Sequence, residues 1–211
     1  MSTPSESLIT AYYRAGRLVE VLMDGIDFVD FQVLSAIGTR NLNSCSVVVI
    51  TSEKGAILAH IPPRPCYASA TDPFAGDNYA REMMSRVQEL YERGVTHGYF
   101  AAAPSSGHVV CAILESKTAL PDQVAIIQNA LHDIGLDSAT HTYKVPVVRN
   151  VVGYGTVMVV SDGQPGRMPS VYVDVTNPSL SRAELMAILE RDKTGGYTTD
   201  IGGYAFGEGG G

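Results

Sequence analysis

The 211 residues include 15 basic and 22 acidic side chains for a formal charge of −7, with 45% hydrophobic and 18% charged residues. That balance excludes a disordered chain, a coiled coil and a basic nucleic-acid arm, and no Lys/Arg cluster stands out to attract phosphates. No apolar run is long enough for a bilayer, the start MSTPSESLITAYYRAGR lacks a signal-peptide pattern, and three cysteines make no disulfide framework. The expected setting is therefore reducing and cytoplasmic, or a host cytosol reached without a cleaved signal, with neither membrane nor nucleic acid as partner.

Residues 8–23 place Leu8, Ala11, Tyr12, Leu18, Val19 and Leu22 at loosely helical spacing, with Gly16 and Gly25 as weak points. The apolar stretch from Phe28 to Ile37 reads as a strand entering the polar segment 38–43. Ser44–Ile50 is β-branched, Thr51–Gly55 has turn chemistry, and Ala56–Ile61 is apolar before three prolines, so a β-hairpin is predicted. Asp77–Arg93 carries Tyr79, Ala80, Met83, Met84, Val87, Leu90 and Tyr91 on one helical face, with Gly94 as the expected C-terminal cap. Thr96–Ala103 and His108–Ser116 are predicted to pair as a second hairpin around PSSG. Pro121–Ile134 is amphipathic, starts on proline and is followed by Gly135, which predicts a second long helix.

Strands are expected at 139–148, 155–160 and 170–176, and a helix at Ser181–Lys193, where Ser181 and Glu184 stand at capping-box spacing. Of the last 18 residues, 8 are glycine, so 194–211 is predicted to be a flexible tail beyond a single domain spanning 1–193. Hairpins separated by single helices give an α+β fold class: antiparallel or mixed sheets in a layered sandwich flanked by about three helices.

A hairpin turning at residues 52–54 sets Cys45 directly opposite His60, and opposed residues on one face have Cβ atoms roughly 5 Å apart. A one-residue slip would send them to opposite faces. A thiol is mostly protonated at neutral pH, so a cysteine nucleophile needs an imidazole beside it. That imidazole needs a partner to fix its tautomer, and Thr39 on the incoming segment offers one. Backbone N–H groups at Asn43, Ser44 and Cys45 stand where an oxyanion would form. The same Cys and His also fit plain core packing, since cysteine is among the most buried residue types. No CxxC or HxxxH spacing points to a metal, and no glycine run has the Lys-Ser/Thr of a phosphate loop, so neither metal nor cofactor is expected. His97, His108 and His141 read as hydrogen-bonded packing or exposed residues, and Cys111 as core.

Thr39, then Leu42-Asn43-Ser44-Cys45, an apolar strand, a charged turn and a second strand ending in Ala59-His60 before proline together resemble the CheD family of chemoreceptor glutamine deamidases. The same arrangement is similar to the catalytic core of cytotoxic necrotizing factor and related toxin deamidases, whose motif is Leu-Ser-Gly-Cys. The likeness covers roughly residues 30–165, and its sharp part about 22 residues. Asn43 stands where the CheD motif has glycine, and Ala101-Ala102-Ala103 replaces its Gly-Gly-Ala. The resemblance implies a CheD-like fold, with Cys45 as nucleophile, His60 as general base and then acid, and Thr39 orienting His60. It also implies as partner a protein bearing an exposed glutamine, deamidated through a thioester. A non-catalytic binding module that keeps the fold is the alternative.

Overall fold

The computed structural model describes residues 7–69, 71–100, 104–145 and 154–174. The helix expected at 181–193 and the glycine-rich tail lie outside these residues. The chain runs α1 (Leu8–Arg14), β1 (Leu18–Glu20), β2 (Ile26–Asp30), β3 (Ala36–Thr39), β4 (Ser46–Thr51), β5 (Gly55–Ile61), α2 (Ala75–Thr96), β6 (Ser106–Leu114), β7 (Lys117–Thr118), α3 (Pro121–Asp133), β8 (Ser138–Lys144), β9 (Val157–Val160) and β10 (Ser170–Val173).

Among the described residues ten strands form two sheets. The smaller has the order β1-β3-β9-β10, and the larger the order β2-β5-β4-β6-β7 with β8 also on β6. Most pairs are antiparallel, while β1–β3 and β6–β8 are parallel. The fold is therefore an α+β layered sandwich of mixed sheets with helices outside.

Side-chain alternation assigns the layers. Val48 and Ile50 of β4, Ile57, Ala59 and Ile61 of β5, and Val109 and Cys111 of β6 pack against α2 and α3. Their neighbours Val47, Val49, Ala56, Leu58, Val110 and Ala112 face Ile37, Val157 and Val159 of the other sheet. Ala36 and Met158, on the outer side of the smaller sheet, pack against Leu8, Ile9 and Tyr12 of α1. Strands β4 and β5 thus have no solvent face, which is why their sequence is nearly continuous in apolar residues instead of alternating.

Three sequence expectations change. The first helix stops at Arg14, and Leu18–Glu20 instead joins the smaller sheet. The stretch 28–37 is two strands in different sheets, because Asp30 turns the chain: its Oδ1 accepts the Gln32 N–H (2.8 Å) and its carbonyl accepts the N–H groups of Val33 and Leu34. The first arm of the second hairpin is not a strand over 96–100, since α2 runs on to Thr96 and Phe100 folds back onto it. Gly94 is accordingly no cap. It lies inside α2, where an added Cβ would stand 2.5 Å from the Phe100 ring, so the missing side chain is the seat for that ring.

Candidate active site

The connection between β4 and β5 is Ser52–Lys54, and Ser52 N–H donates to the Gly55 carbonyl at 2.9 Å so that Glu53 and Lys54 form the turn itself. The register that follows pairs Val47 with His60 and Ser46 with Ile61. Cys45 is therefore not directly opposite His60, as the sequence predicts, but two residues off. An even displacement keeps both on one face of the ribbon, the face toward the smaller sheet, where Cys45 packs with Val47 and Val49. In such a diagonal pair the separation is about 7–8 Å between backbones, within reach of an imidazole but longer than for direct opposition.

Thr39 arrives from the other sheet. It ends β3, next to Ile37 on the inward face, and its Oγ1 lies 2.7 Å from His60 Nδ1. All three side chains are closed to solvent, with Thr39 0%, His60 2% and Cys45 4% exposed. Among the described residues His60 Nε2 has no hydrogen-bond partner, so it makes no hydrogen bond with the Cys45 sulfur. The structure joins Thr39 to His60 and leaves Cys45 in the same buried layer without a hydrogen bond to the imidazole.

The electrostatics follow from this enclosure. Burial pushes the His60 imidazole down to about 4, while the nearby Asp24 carboxylate opposes that shift. Burial pushes the Cys45 thiol up; a backbone hydrogen bond at Asn43 pulls it down, and Asp24 pushes it up again. The resting pair is consequently neutral, a thiol and an uncharged imidazole, not a thiolate–imidazolium pair.

The segment before Cys45 is bent by two left-handed residues, Asn41 at φ 65° and Ser44 at φ 71°. Such values are uncommon outside glycine and asparagine, and they collect at sites where the backbone is held by its surroundings. Here three contacts hold it. Leu42 N–H donates to the Gly155 carbonyl at 2.9 Å, Gly155 N–H donates to Asp174 Oδ1 at 2.6 Å, and Tyr143 Oη–H donates to the Cys45 carbonyl at 2.8 Å. Gly155 sits at φ 62°, and a Cβ there would lie 2.5 Å from the Leu42 oxygen. Ser44 is half-buried and Asn43 exposed, so both expected oxyanion residues lie at the surface end of the site.

The sequence gives Asp24, Tyr143, Gly155 and Asp174 no role in the site. The sequence trace of the first is the Asp24-Gly25 dipeptide, a turn signal just past the loosely helical stretch 8–23. Asp24 takes φ 66°, donates its N–H to the His60 carbonyl at 3.0 Å, and neighbours Gly25, whose carbonyl accepts the His60 N–H at 3.0 Å. Burial and a hydrogen-bonding interaction with Asp24 push the Tyr79 hydroxyl up to about 12. Leu22 and Met23, just before it, are 72% and 57% exposed.

The remaining candidates separate from the site. Cys111 is buried against the helices, Cys66 is exposed, and all three cysteines are unpaired. His108 Nδ1 and His141 Nε2 lie 3.2 Å apart between β6 and β8, with Ser106 Oγ 3.2 Å from His108 Nε2. Among the described residues no three His, Cys, Asp or Glu side chains converge as metal ligands, and no helix is long and apolar enough to cross a membrane. Neither a protein-family model nor any curated protein sequence matches the chain significantly.

Proposed function

We propose that the chain is a cysteine-dependent deamidase that converts glutamine side chains of a partner protein to glutamate. The observation that supports this reading is the 2.7 Å contact between Thr39 Oγ1 and His60 Nδ1, which leaves Nε2 unpartnered on the face of the ribbon that carries Cys45. With Nδ1–H donated to the Thr39 hydroxyl, the lone pair on Nε2 is the free one, which is the tautomer a general base needs. The low proton affinity of the buried imidazole keeps that lone pair available at neutral pH.

In the reaction Cys45 Sγ attacks the carboxamide carbon as its proton passes to His60 Nε2. The imidazolium then protonates the departing nitrogen, the C–N bond breaks, and ammonia leaves a thioester. Water, deprotonated by His60, attacks the thioester; the C–S bond breaks and the proton returns to sulfur. The sum is glutamine plus water giving glutamate plus ammonia. Because the resting thiol is protonated, proton transfer accompanies attack instead of preceding it. Exposed Leu22, Met23 and Tyr67 beside Asp24 offer apolar surface suited to a protein substrate. Three unpaired thiols suit a reducing, cytoplasmic compartment.

A second reading, a protein-binding module without turnover, is favoured by the near-complete burial of Cys45 and His60 and by the open Nε2–Sγ link. Incubation with glutamine-bearing proteins separates the two. Deamidation releases ammonia and adds about one mass unit per glutamine, is lost in Cys45→Ala and His60→Ala, and is reduced in Thr39→Val but restored in Thr39→Ser. Ammonia release that persists in Cys45→Ala refutes the thioester route, and its absence from the wild-type protein favours the binding module.

A further inference from the structure

Tyr143 is bonded to the backbone of the nucleophile itself, and the reaction above gives it no part. It is 2% exposed and lies between the sheets in the layer that holds Cys45 and Val47. On β8 it stands opposite Ala112 of β6, and β6 in turn pairs Val110 with Val47, so the chain entering β4 comes level with Ala112. Ala112 presents only a methyl group to that layer. The phenol can therefore lie across it and reach the Cys45 carbonyl, to which Oη–H donates at 2.8 Å.

The same oxygen also accepts. Ser44 N–H donates to it, while Asn43 N–H donates to the Cys45 sulfur. One hydroxyl thus holds both ends of the Ser44–Cys45 segment. Burial pushes this hydroxyl far up, so it stays a neutral donor over the whole working range of pH. Ser44 needs such a hold. At φ 71° its Cβ crowds the following carbonyl oxygen, a cost that glycine escapes, and β4 begins at Ser46, so Ser44 lies ahead of the strand ladder. Were Ser44 to relax to negative φ, the peptide planes on either side of it would turn, Asn43 N–H would leave the sulfur, and the Cys45 side chain would swing away from its present direction. A nucleophile misplaced by about 1 Å can lose on the order of 100-fold in rate. The phenol also takes the Ser44 N–H out of the three backbone donors expected near an oxyanion, leaving those of Asn43 and Cys45.

We infer that Tyr143 is a positioning residue for the nucleophile: its hydroxyl, bonded to the Cys45 carbonyl, locks Ser44 in the left-handed conformation and so sets the direction of the Cys45 sulfur. The inference rests on the deamidase reading and adds to it a residue that acts on the reaction through Cys45.

Tyr143→Phe keeps the ring and removes the hold. With casein as the glutamine-bearing substrate and ammonia release as the readout, its kcat falls by roughly 10- to 100-fold while KM stays within about twofold, because the sulfur is misdirected and the surface that meets substrate is intact. Adding Ser44→Gly to Tyr143→Phe supplies a residue that takes positive φ without strain, and kcat recovers by about fivefold or more over Tyr143→Phe alone. The proteins are compared where circular dichroism shows each of them folded. If Tyr143→Phe matches the wild type, loses activity through KM, or is not helped by the glycine, the hydroxyl serves only the fold and this inference is overturned while the deamidase reading stands. If the wild-type protein releases no ammonia from glutamine-bearing proteins, the deamidase reading falls and takes this inference with it.

Discussion

The titration of His60 gives the sharpest physical test of the enclosed site. Its imidazole is held down to about 4 against an ordinary 6.5, with burial as the main cause. Between these values the unfolded chain binds a proton that the folded chain refuses. Stability is therefore fully present above pH 6.5 and is lost as the pH falls toward 4. The gap corresponds to about 3 kcal/mol, at about 1.4 kcal/mol per tenfold in proton affinity. Urea unfolding of wild type and His60→Asn, followed from neutral pH down to about pH 4, reads this directly. Asp27 and Asp174, whose carboxyls burial pushes up, and His108, also pushed down to about 4, titrate in both proteins and cancel in the difference. The stability advantage of wild type over the variant should shrink by about 3 kcal/mol across that window. Two parallel stability curves, or an imidazole that titrates near 6.5 by NMR, would refute the claim that His60 is sealed and neutral.

Gly155→Ala, which forces a Cβ into the Leu42 carbonyl at a left-handed φ, should destabilise the fold by about 1–3 kcal/mol and raise the alkylation rate of Cys45 by displacing the loop before it; an unchanged melting temperature and an unchanged rate argue against the clamp. Tyr143→Phe, which deletes the donor to the Cys45 carbonyl, should lower unfolding stability by about 1 kcal/mol, as read by denaturant titration. Iodoacetamide should modify exposed Cys66 first, while Cys45 reacts slowly and gains rate only well into the alkaline range, because burial holds its thiol up. A Cys45 thiolate that forms below pH 8 would contradict the neutral resting pair.

Much of the fold was legible locally. The ribbon of β4 and β5 follows from β-branched runs around a charged turn, α2 from its apolar stripe, and α3 from proline before it and glycine after it. Those signals live within a few residues of one another, so no distant contact is needed to read them. The misread segments are those where a distant partner outweighs the local pattern. Leu18–Glu20 is drawn from a weak helical spacing into a parallel pairing with β3, and Tyr99–Phe100 prefers ring contacts on α2 and Phe28 to a strand.

For the site, chain spacing alone put Cys45 and His60 on one face, because parity survives a register error of two. It missed the true register, since whether Glu53–Lys54 or a wider turn closes the hairpin depends on one backbone hydrogen bond. Only the packing of two sheets brings Thr39 against His60 across 21 positions and ties Leu42 to Gly155 more than a hundred residues away, while the pairing of β2 with β5 sets Asp24 at the end of the ribbon. Sequence determines which side chains share a strand face, through a period of two. Burial, proton affinity and the third partner depend on what covers that face, and the chain decides this only when the sheets close over it.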